Sequence, residues 1–323
     1  MGLSIRILVT VAALLAIGTS PLQSWAQNFP TKPIRLVVPA ATGTPIDILS
    51  RVVANKLDLG QPVVVETKPG ATGAIGAVDV LRQSADGYTL MVVMMPMSIG
   101  QTIYRNVPFN LRTDFVPIGQ LGSFYTVLVV HPSVKANSVS DLVALLKAQP
   151  GQLNFSSGGP GTPAHIAGEL FKIRTSTSAL HVPYNQFPLA IADLMGGQIQ
   201  FMFAGTPPMI PLINAGKLRA LAVTSPERIA SLKDTPTMAE AGILDFVVRD
   251  WLGIVAKAGT PPEVIAKVHV ALVKALATEE VKTVYAKLGA NIGGGSAEAF
   301  GKLIDTEITR WSGVAAAAKI KVE

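Results

Sequence analysis

The chain has 323 residues, of which 49% are hydrophobic and 15% charged, a composition that fits a folded globule and argues against disorder. Lys plus Arg total 27 and Asp plus Glu 21, a net charge of +6 with no basic run, so nucleic-acid binding is a poor reading. Cysteine is absent, which rules out disulfides, thiol catalysis and cysteine metal sites.

Residues 1–26 read as an export signal. Arg6 supplies a positive start, and Ile7 to Gly18 is apolar apart from Thr10. Ser24-Trp25-Ala26 offers small residues at the cleavage positions, so the mature chain is expected to begin at Gln27. The apolar run is shorter than the roughly 20 residues that cross a bilayer, which disfavours a retained anchor. No cysteine follows it to take a lipid, and no later segment is apolar enough to span. The remaining length exceeds what one core usually holds, so two domains are expected.

Strand-like and helix-like segments then alternate. Ile34 to Pro39 reads as a buried strand and Asp47 to Leu57 as a helix, with Ile48, Leu49, Val52, Val53 and Leu57 at helical spacing. Strands follow at Val63–Glu66 and Thr89–Met94. A second block begins near Tyr125, with a strand at Thr126–Val130. Ser138 or Ser140 caps a helix carrying Leu142, Leu145 and Leu146. Further strands are expected at Leu153–Phe155, Ile199–Phe203 and Leu218–Val223. Thr260 reads as the N-cap of a helix with Ile265, Val268, Leu272 and Leu276 on one face, and a last helix runs from Ala297 through Trp311. Such alternation implies an α/β fold with mostly parallel sheets flanked by helices.

Two turns suit an anion. Gly43-Thr44-Pro45 follows the first strand, with Thr44 at the N-cap, Pro45 in the first helical position and Asp47 able to reach back to a backbone N–H. Gly161-Thr162-Pro163 repeats the pattern in the second block. Each would present unpaired N–H groups and the positive end of a helix dipole at a strand's C-terminal end. Plain helix capping is the competing reading, and Gly259-Thr260-Pro261 supports it, because no ligand is expected there. Pro69 to Gly76 spaces its glycines as GxxGxxG, not as the dinucleotide pattern. His131, His165, His181 and His269 lack metal spacing, and there is no GxSxG elbow. Tyr184, after His181-Val182-Pro183, either hydrogen-bonds a solute or packs half-buried.

These pieces in order resemble the Bug-type substrate-binding proteins of tripartite tricarboxylate transporters. The resemblance rests on Pro30 to Pro39, Gly43 with Asp47, Gly60 to Glu66, Asp86 to Leu90, Pro150 to Asn154 and Gly161-Thr162 with His165. It continues through Ala167 to Phe171, His181 to Tyr184, Ala215 to Ser225, Trp251 and Ala258 to Pro261. It implies a periplasmic binding-protein clamshell, with 27–124 plus 249–323 as one domain and 125–248 as the other, joined by two crossing strands. It also implies capture of a small organic carboxylate by backbone amides and ordered water. The residues so implicated are Ala40, Ala41, Thr42, Gly43, Thr44 and Asp47; Met95 and Ser98; Ser156, Ser157, Gly161, Thr162 and His165; Tyr184; and Ala204 with Gly205. No catalytic residue, metal or cofactor is expected. The partners implied are transporter membrane subunits or a membrane sensor kinase, with the receptor itself a monomer. A periplasmic hydrolase or isomerase is the enzyme alternative, but no catalytic dyad is readable from spacing.

Several positions depart from the family's habit. Ala41-Thr42-Gly43-Thr44 stands where Pro-Pro-Gly-Gly is usual, and Met94-Met95-Pro96-Met97 where small polar residues are usual. Asn185-Gln186-Phe187 replaces Lys-Gly after the tyrosine, and Ala204-Gly205 replaces an aspartate. Most of these changes lower charge or add apolar surface, which favours an aromatic or otherwise apolar carboxylate over a tricarboxylate. Alternatively, Met94 to Met97 simply pack within a strand.

Overall fold

Ile34–Val38 forms β1, with four of its five side chains wholly buried, as a strand covered on both faces requires. The computed structural model describes residues 29–184 and 186–320, so the expected signal and its cleavage before Gln27 lie outside the described residues, as does Asn185. The chain continues through α1 (Pro45–Ala54), β2 (Val63–Thr67), α2 (Ala74–Leu81), β3 (Thr89–Met94) and α3 (Met95–Ile103). β1 pairs in parallel with both β2 and β3. Then β4 (Phe115–Val130) runs for 16 residues.

The second block repeats the plan. It contains α4 (Val139–Ala148), β5 (Asn154–Ser157), α5 (Pro163–Thr175), β6 (Leu180–Pro183), α6 (Phe187–Met195), β7 (Phe201–Gly205), α7 (Thr206–Asn214) and β8 (Arg219–Val223). β5 pairs in parallel with β6 and β7. Ser138 caps α4 in a reciprocal box with Asp141. The chain returns through β9 (Arg249–Lys257), α8 (Pro262–Leu276), α9 (Glu279–Lys287), β10 (Asn291–Gly294) and α10 (Ala297–Ala317).

β4 serves both blocks. Its Phe115–Tyr125 half pairs antiparallel with β9, and Thr126–Val130 pairs antiparallel with β7 and β8. β9 pairs antiparallel with β3 on its other side. On the return path Thr224 Oγ1 donates to the carbonyl of Val248 at 2.7 Å, just before β9 begins, and accepts from the N–H of Thr126 at 3.1 Å. The chain therefore crosses twice between the β2-β1-β3 set and the β6-β5-β7 set, once within β4 and once on the way from β8 into β9. The fold is the α/β clamshell of periplasmic binding proteins.

α10 locks the return strand. Trp251 of β9 packs edge-on to Phe300, and the indole N–H groups of Trp251 and Trp311 both donate to Oε2 of Glu307, at 3.1 and 2.9 Å. Among the described residues no helix is long and apolar enough to cross a membrane.

Several details differ from the sequence reading. The sheet is mixed rather than mostly parallel, because β4 and β9 pair antiparallel with their neighbours, and the expected helix 47–57 and strand 199–203 lie at Pro45–Ala54 and Phe201–Gly205. β4 begins at Phe115, eleven residues early, because Pro117, Gly119 and Gly122 imitate a turn but are absorbed at two register shifts. Met95 to Met97 lie in a helix, because β3 stops at Met94 and Pro96 favours a helix start. Thr260 does not cap α8. Its hydroxyl donates to the Lys257 carbonyl at 2.8 Å, and Pro261 is the N-cap. α10 continues six residues past Trp311.

Candidate functional site

The two expected turns are built alike. Gly43 has φ +81° and Gly161 φ +76°, a region that L side chains avoid. Thr44 Oγ1 donates to the Ala41 carbonyl at 2.8 Å, and Thr162 Oγ1 donates to the Gly159 carbonyl at 2.7 Å. Thr44 N–H and Thr162 N–H donate to those same two carbonyls at 3.3 Å each. In both turns the glycine N–H donates to the side chain four residues on. Gly43 donates to Asp47 Oδ2 at 2.9 Å, and Gly161 to His165 Nδ1 at 3.2 Å. The side chains of Thr44 and Thr162 differ in one respect: Thr44 Oγ1 accepts from Asp47 N–H at 3.4 Å, whereas Thr162 caps by position alone.

The acceptors are held from behind. Asp47 is 2% exposed and its Oδ1 accepts from Arg51 Nε at 2.8 Å. His165 stacks on His181 with ring centres 4.0 Å apart, and His181 stacks in turn on Phe155. Burial first, then the neighbouring His181 and Lys172, depress the His165 pKa to about 3. Burial and Lys172 depress His181 to about 4. Both rings are neutral at pH 7, and an accepting Nδ1 places the His165 proton on Nε2.

Ser157 Oγ lies 2.7 Å from His181 Nε2, a Ser–His contact that sequence reading misses because 24 residues separate the pair. The hydroxyl is wholly buried and also hydrogen-bonds both the N–H and the carbonyl of Gly159 at 3.1 Å. It fastens the turn before α5.

Other expected side chains are likewise engaged within the protein. Ser98 Oγ donates to the Met95 carbonyl at 2.7 Å, and both residues are wholly buried. Met97 packs under Gly73, which accounts for one of the unusual methionines without a ligand. Tyr184 donates its hydroxyl to Asp193 Oδ2 at 2.5 Å, which raises the phenol pKa to about 12. Ala40 is buried, whereas Ala41, Thr42 and Gly43 are exposed at the rim, where Thr42 Oγ1 lies 3.2 Å from Thr67 Oγ1.

Two hydroxyls remain. Ser156 Oγ on β5 and Thr206 Oγ1 at the first position of α7 are buried without a hydrogen-bond partner among the described residues. Thr206 directly follows the expected Ala204 and Gly205, and sequence reading passes over it because Thr-Pro-Pro looks like an ordinary helix start.

The blocks meet at several places, α5 against α10 among them, and two of these involve Gly161 and Thr206. A Cβ at Gly161 would lie 2.6 Å from Ile103 Cδ1 and 3.6 Å from Ile99 Cγ2, so the turn before α5 abuts α3. A Cβ at Gly289, between α9 and β10, would lie 3.9 Å from Thr206 Oγ1. Among the described residues no hydrogen bond joins the Gly43 turn to the Gly161 turn, and no group of three His, Asp or Glu could hold a metal. A cavity of about 500 Å³ lies apart from these turns, between α2 and residues 104–109, and none of the expected residues lines it. The turns are the better candidate, because among the described residues the buried hydroxyls without partners lie on β5, which leads into the Gly161 turn, and at the start of α7, and not at that cavity.

Comparison with known proteins fits this geometry. The profile of the tripartite tricarboxylate transporter family receptor matches residues 49–319. Protein BugT of Bordetella pertussis is 34% identical over 313 residues, covering 96% of each chain. A solved R. palustris protein with adipate superposes with a TM-score of 0.82 at 31% identity, covering 91% of this chain and 99% of that one. MatC from Rhodopseudomonas palustris with bound malate gives 0.79 at 27% identity, covering 88% and 99%. The chain belongs to the tripartite tricarboxylate transporter receptor family.

Proposed function

We propose that this protein is an exported receptor that captures a small organic carboxylate between lobe 27–124 plus 249–323 and lobe 125–248, and delivers it to the membrane subunits of a tripartite tricarboxylate-type transporter. The observation that carries the reading is the duplicated turn, once in each block, at the C-terminal end of a parallel strand and the start of a helix. Gly43 and Gly161 N–H are already engaged, so they are scaffold. The amides offered to the anion are those of the first helical turns, Ile46 in α1 and Ala164 with His165 in α5, which have no intrahelical acceptor. Ser156 and Thr206 add free hydroxyls. Similar proteins that hold adipate and malate support a carboxylate as the ligand class.

The same contacts support binding rather than catalysis. The Ser157 hydroxyl is already engaged by His181 and by the N–H and carbonyl of Gly159, as a brace for the turn. Met97 packs under Gly73 and Met95 belongs to the hydrophobic core, so packing accounts for both without an apolar ligand. The absence of Lys or Arg in either turn favours an anion held by backbone amides rather than by an ion pair.

A thermal-shift screen over mono-, di- and tricarboxylic acids tests the reading. At least one acid should raise the melting temperature in a concentration-dependent way. No response to any acid, with a response to sugars or amines, would overturn it. Mass spectrometry of protein recovered from the periplasm should find Gln27 as the first residue.

A further inference from the structure

Asp250 is a buried acid that no contact described above explains. It sits on β9, two residues before Leu252, and Leu252 pairs with Met94, the last residue of β3. Asp250 therefore lies beyond the C-terminal end of β3, beside the start of α3, where β9 has lost its partner on that edge. Across the other edge it pairs with Phe124 of β4, and directly opposed residues share a face. The Phe124 ring reaches the start of α7, since a Cβ at Gly205 would lie 3.3 Å from its Cε2. Thr206, with its unpartnered hydroxyl, is the next residue. Asp250 thus stands at the strand crossing, beyond the end of β3 on one edge and, on the other, opposite Phe124, whose ring meets the start of α7.

Its chemistry is unusual. The residue is 7% exposed, and burial acts on its carboxyl: among the described residues no hydrogen bond and no charge contributes. The titratable groups nearby are otherwise occupied. Glu307 lies on the opposite face of β9, holding Trp251, and Arg310 on that helix donates to the Val247 carbonyl. Tyr285, facing Gly122 on the Asp250 side, donates to the Leu121 carbonyl, and Asp47 pairs with Arg51. Arg249 and Tyr125 are a residue further along and point to the other face. β3, α3 and α7 carry no titratable side chain. Burial raises the Asp250 pKa to about 7, and an anion bound nearby would raise it further by like-charge repulsion.

We propose that Asp250 is a specificity-determining residue that donates a hydrogen bond from its carboxyl O–H to an acceptor oxygen at the far end of the bound acid. The ligand class is then an acid with a second carboxylate or carbonyl, one end on the helix-start amides and the other on Asp250. The inference rests on the receptor reading above. It is a separate step, because the amides would hold a simple monocarboxylate equally well.

The experiment is calorimetry at pH about 6 and about 8.5 on wild type, Asp250→Asn and Asp250→Leu. The probes are adipate, malate, hexanoate and any acid that raises the melting temperature in a screen of mono- and dicarboxylates at pH about 6. Wild type should bind its best two-ended acid at least about tenfold more weakly at the higher pH, as the O–H donor is lost. Asp250→Asn keeps a donor at every pH and should hold its affinity within about threefold. Asp250→Leu should lose that acid at both pH values yet retain monocarboxylate binding. A wild-type profile as flat as that of Asp250→Asn overturns the proposal, as does preference for monocarboxylates. Tighter binding at high pH that Asp250→Asn abolishes also overturns it, since Asp250 would then accept from a ligand donor. If no acid binds even at pH about 6, the receptor reading fails and takes the proposal with it.

Discussion

The Gly161 amide donates to Nδ1 of His165 at 3.2 Å, and this bond ties the shape of a left-handed turn to a neutral imidazole. The same bond in the first block ends on the carboxylate of Asp47. Replacing His165 with Ala leaves a buried N–H without an acceptor and removes the stack on His181. That should cost about 1–3 kcal/mol in urea unfolding. His165→Asp copies the first-block arrangement, and should recover part of the loss if the bond rather than the ring is what the turn needs. Recovery of nothing would assign the effect to the stack.

The titrating groups set opposite pH slopes. His165 and His181 are depressed to about 3 and about 4 from 6.5, so the unfolded chain takes up protons first as pH falls. Their stabilising contribution is complete above about pH 6.5 and is lost as pH drops towards 4 and 3. Asp250 runs the other way. Its folded pKa is raised to about 7 from 3.8, so stability falls as pH rises from about 4 to about 7, by an upper bound of about 4 kcal/mol. Melting curves across pH 3.5 to 9 should therefore peak near neutrality on the acid side. Asp250→Asn should gain stability relative to wild type above about pH 7 and none at about pH 4. An equal gain at both would mean that ionisation is irrelevant.

How much of the fold and site is legible in the sequence depends on the range of the interaction. The helix starts at Thr44 and Ser138 are readable because a cap is a matter of three or four adjacent residues. The reach of Asp47 back to Gly43 is local in the same way. Only half of β4 is legible, because its Gly and Pro residues carry turn signals locally, and pairing with β9 and β10 is what makes them strand. Ser157 with His181, and Asp250 with Phe124, join residues 24 or more apart, so no local pattern announces them. The sequence leaves Tyr184 open, to bind a solute or to pack. Asp193, nine residues on, decides that its hydroxyl is already engaged.

The two turn glycines should separate strain from crowding. Gly43 has φ +81° and open space where a Cβ would stand, with no atom within 4 Å, so Gly43→Ala meets backbone strain alone, about 1–2 kcal/mol. Gly161→Ala adds a methyl 2.6 Å from Ile103 Cδ1 on α3. It should cost more in stability and weaken ligand binding, because α3 and the turn must part. Calorimetric unfolding of both variants decides. Equal costs would show that Ile103 moves aside freely.

Tyr184→Phe removes a 2.5 Å hydrogen bond to Asp193 within one block. Asp193 then loses its phenol donor, which should cost about 1–2 kcal/mol of stability. Ligand affinity should change by less than about threefold if the phenol only braces α6. A tenfold loss, with folding intact, would return Tyr184 to the binding site.

The buried hydroxyls of Ser156 and Thr206 offer the sharpest test, because stability and affinity should move in opposite directions. Each lies in the protein with no hydrogen-bond partner, a state that costs roughly 1–3 kcal/mol when nothing compensates. Ser156→Ala removes the hydroxyl with little change in volume, and Thr206→Val replaces it with a methyl of similar shape. Without ligand, each variant should melt at or above the wild-type temperature. With the carboxylate that stabilises wild type most, each should show a smaller shift and about five- to fiftyfold weaker binding, as a hydrogen bond to a charged group is lost. A purely structural hydroxyl would behave differently, since its loss would lower stability and leave affinity alone. If both variants melt lower and bind like wild type, the two hydroxyls serve packing, and recognition falls to the helix-start amides of α1 and α5.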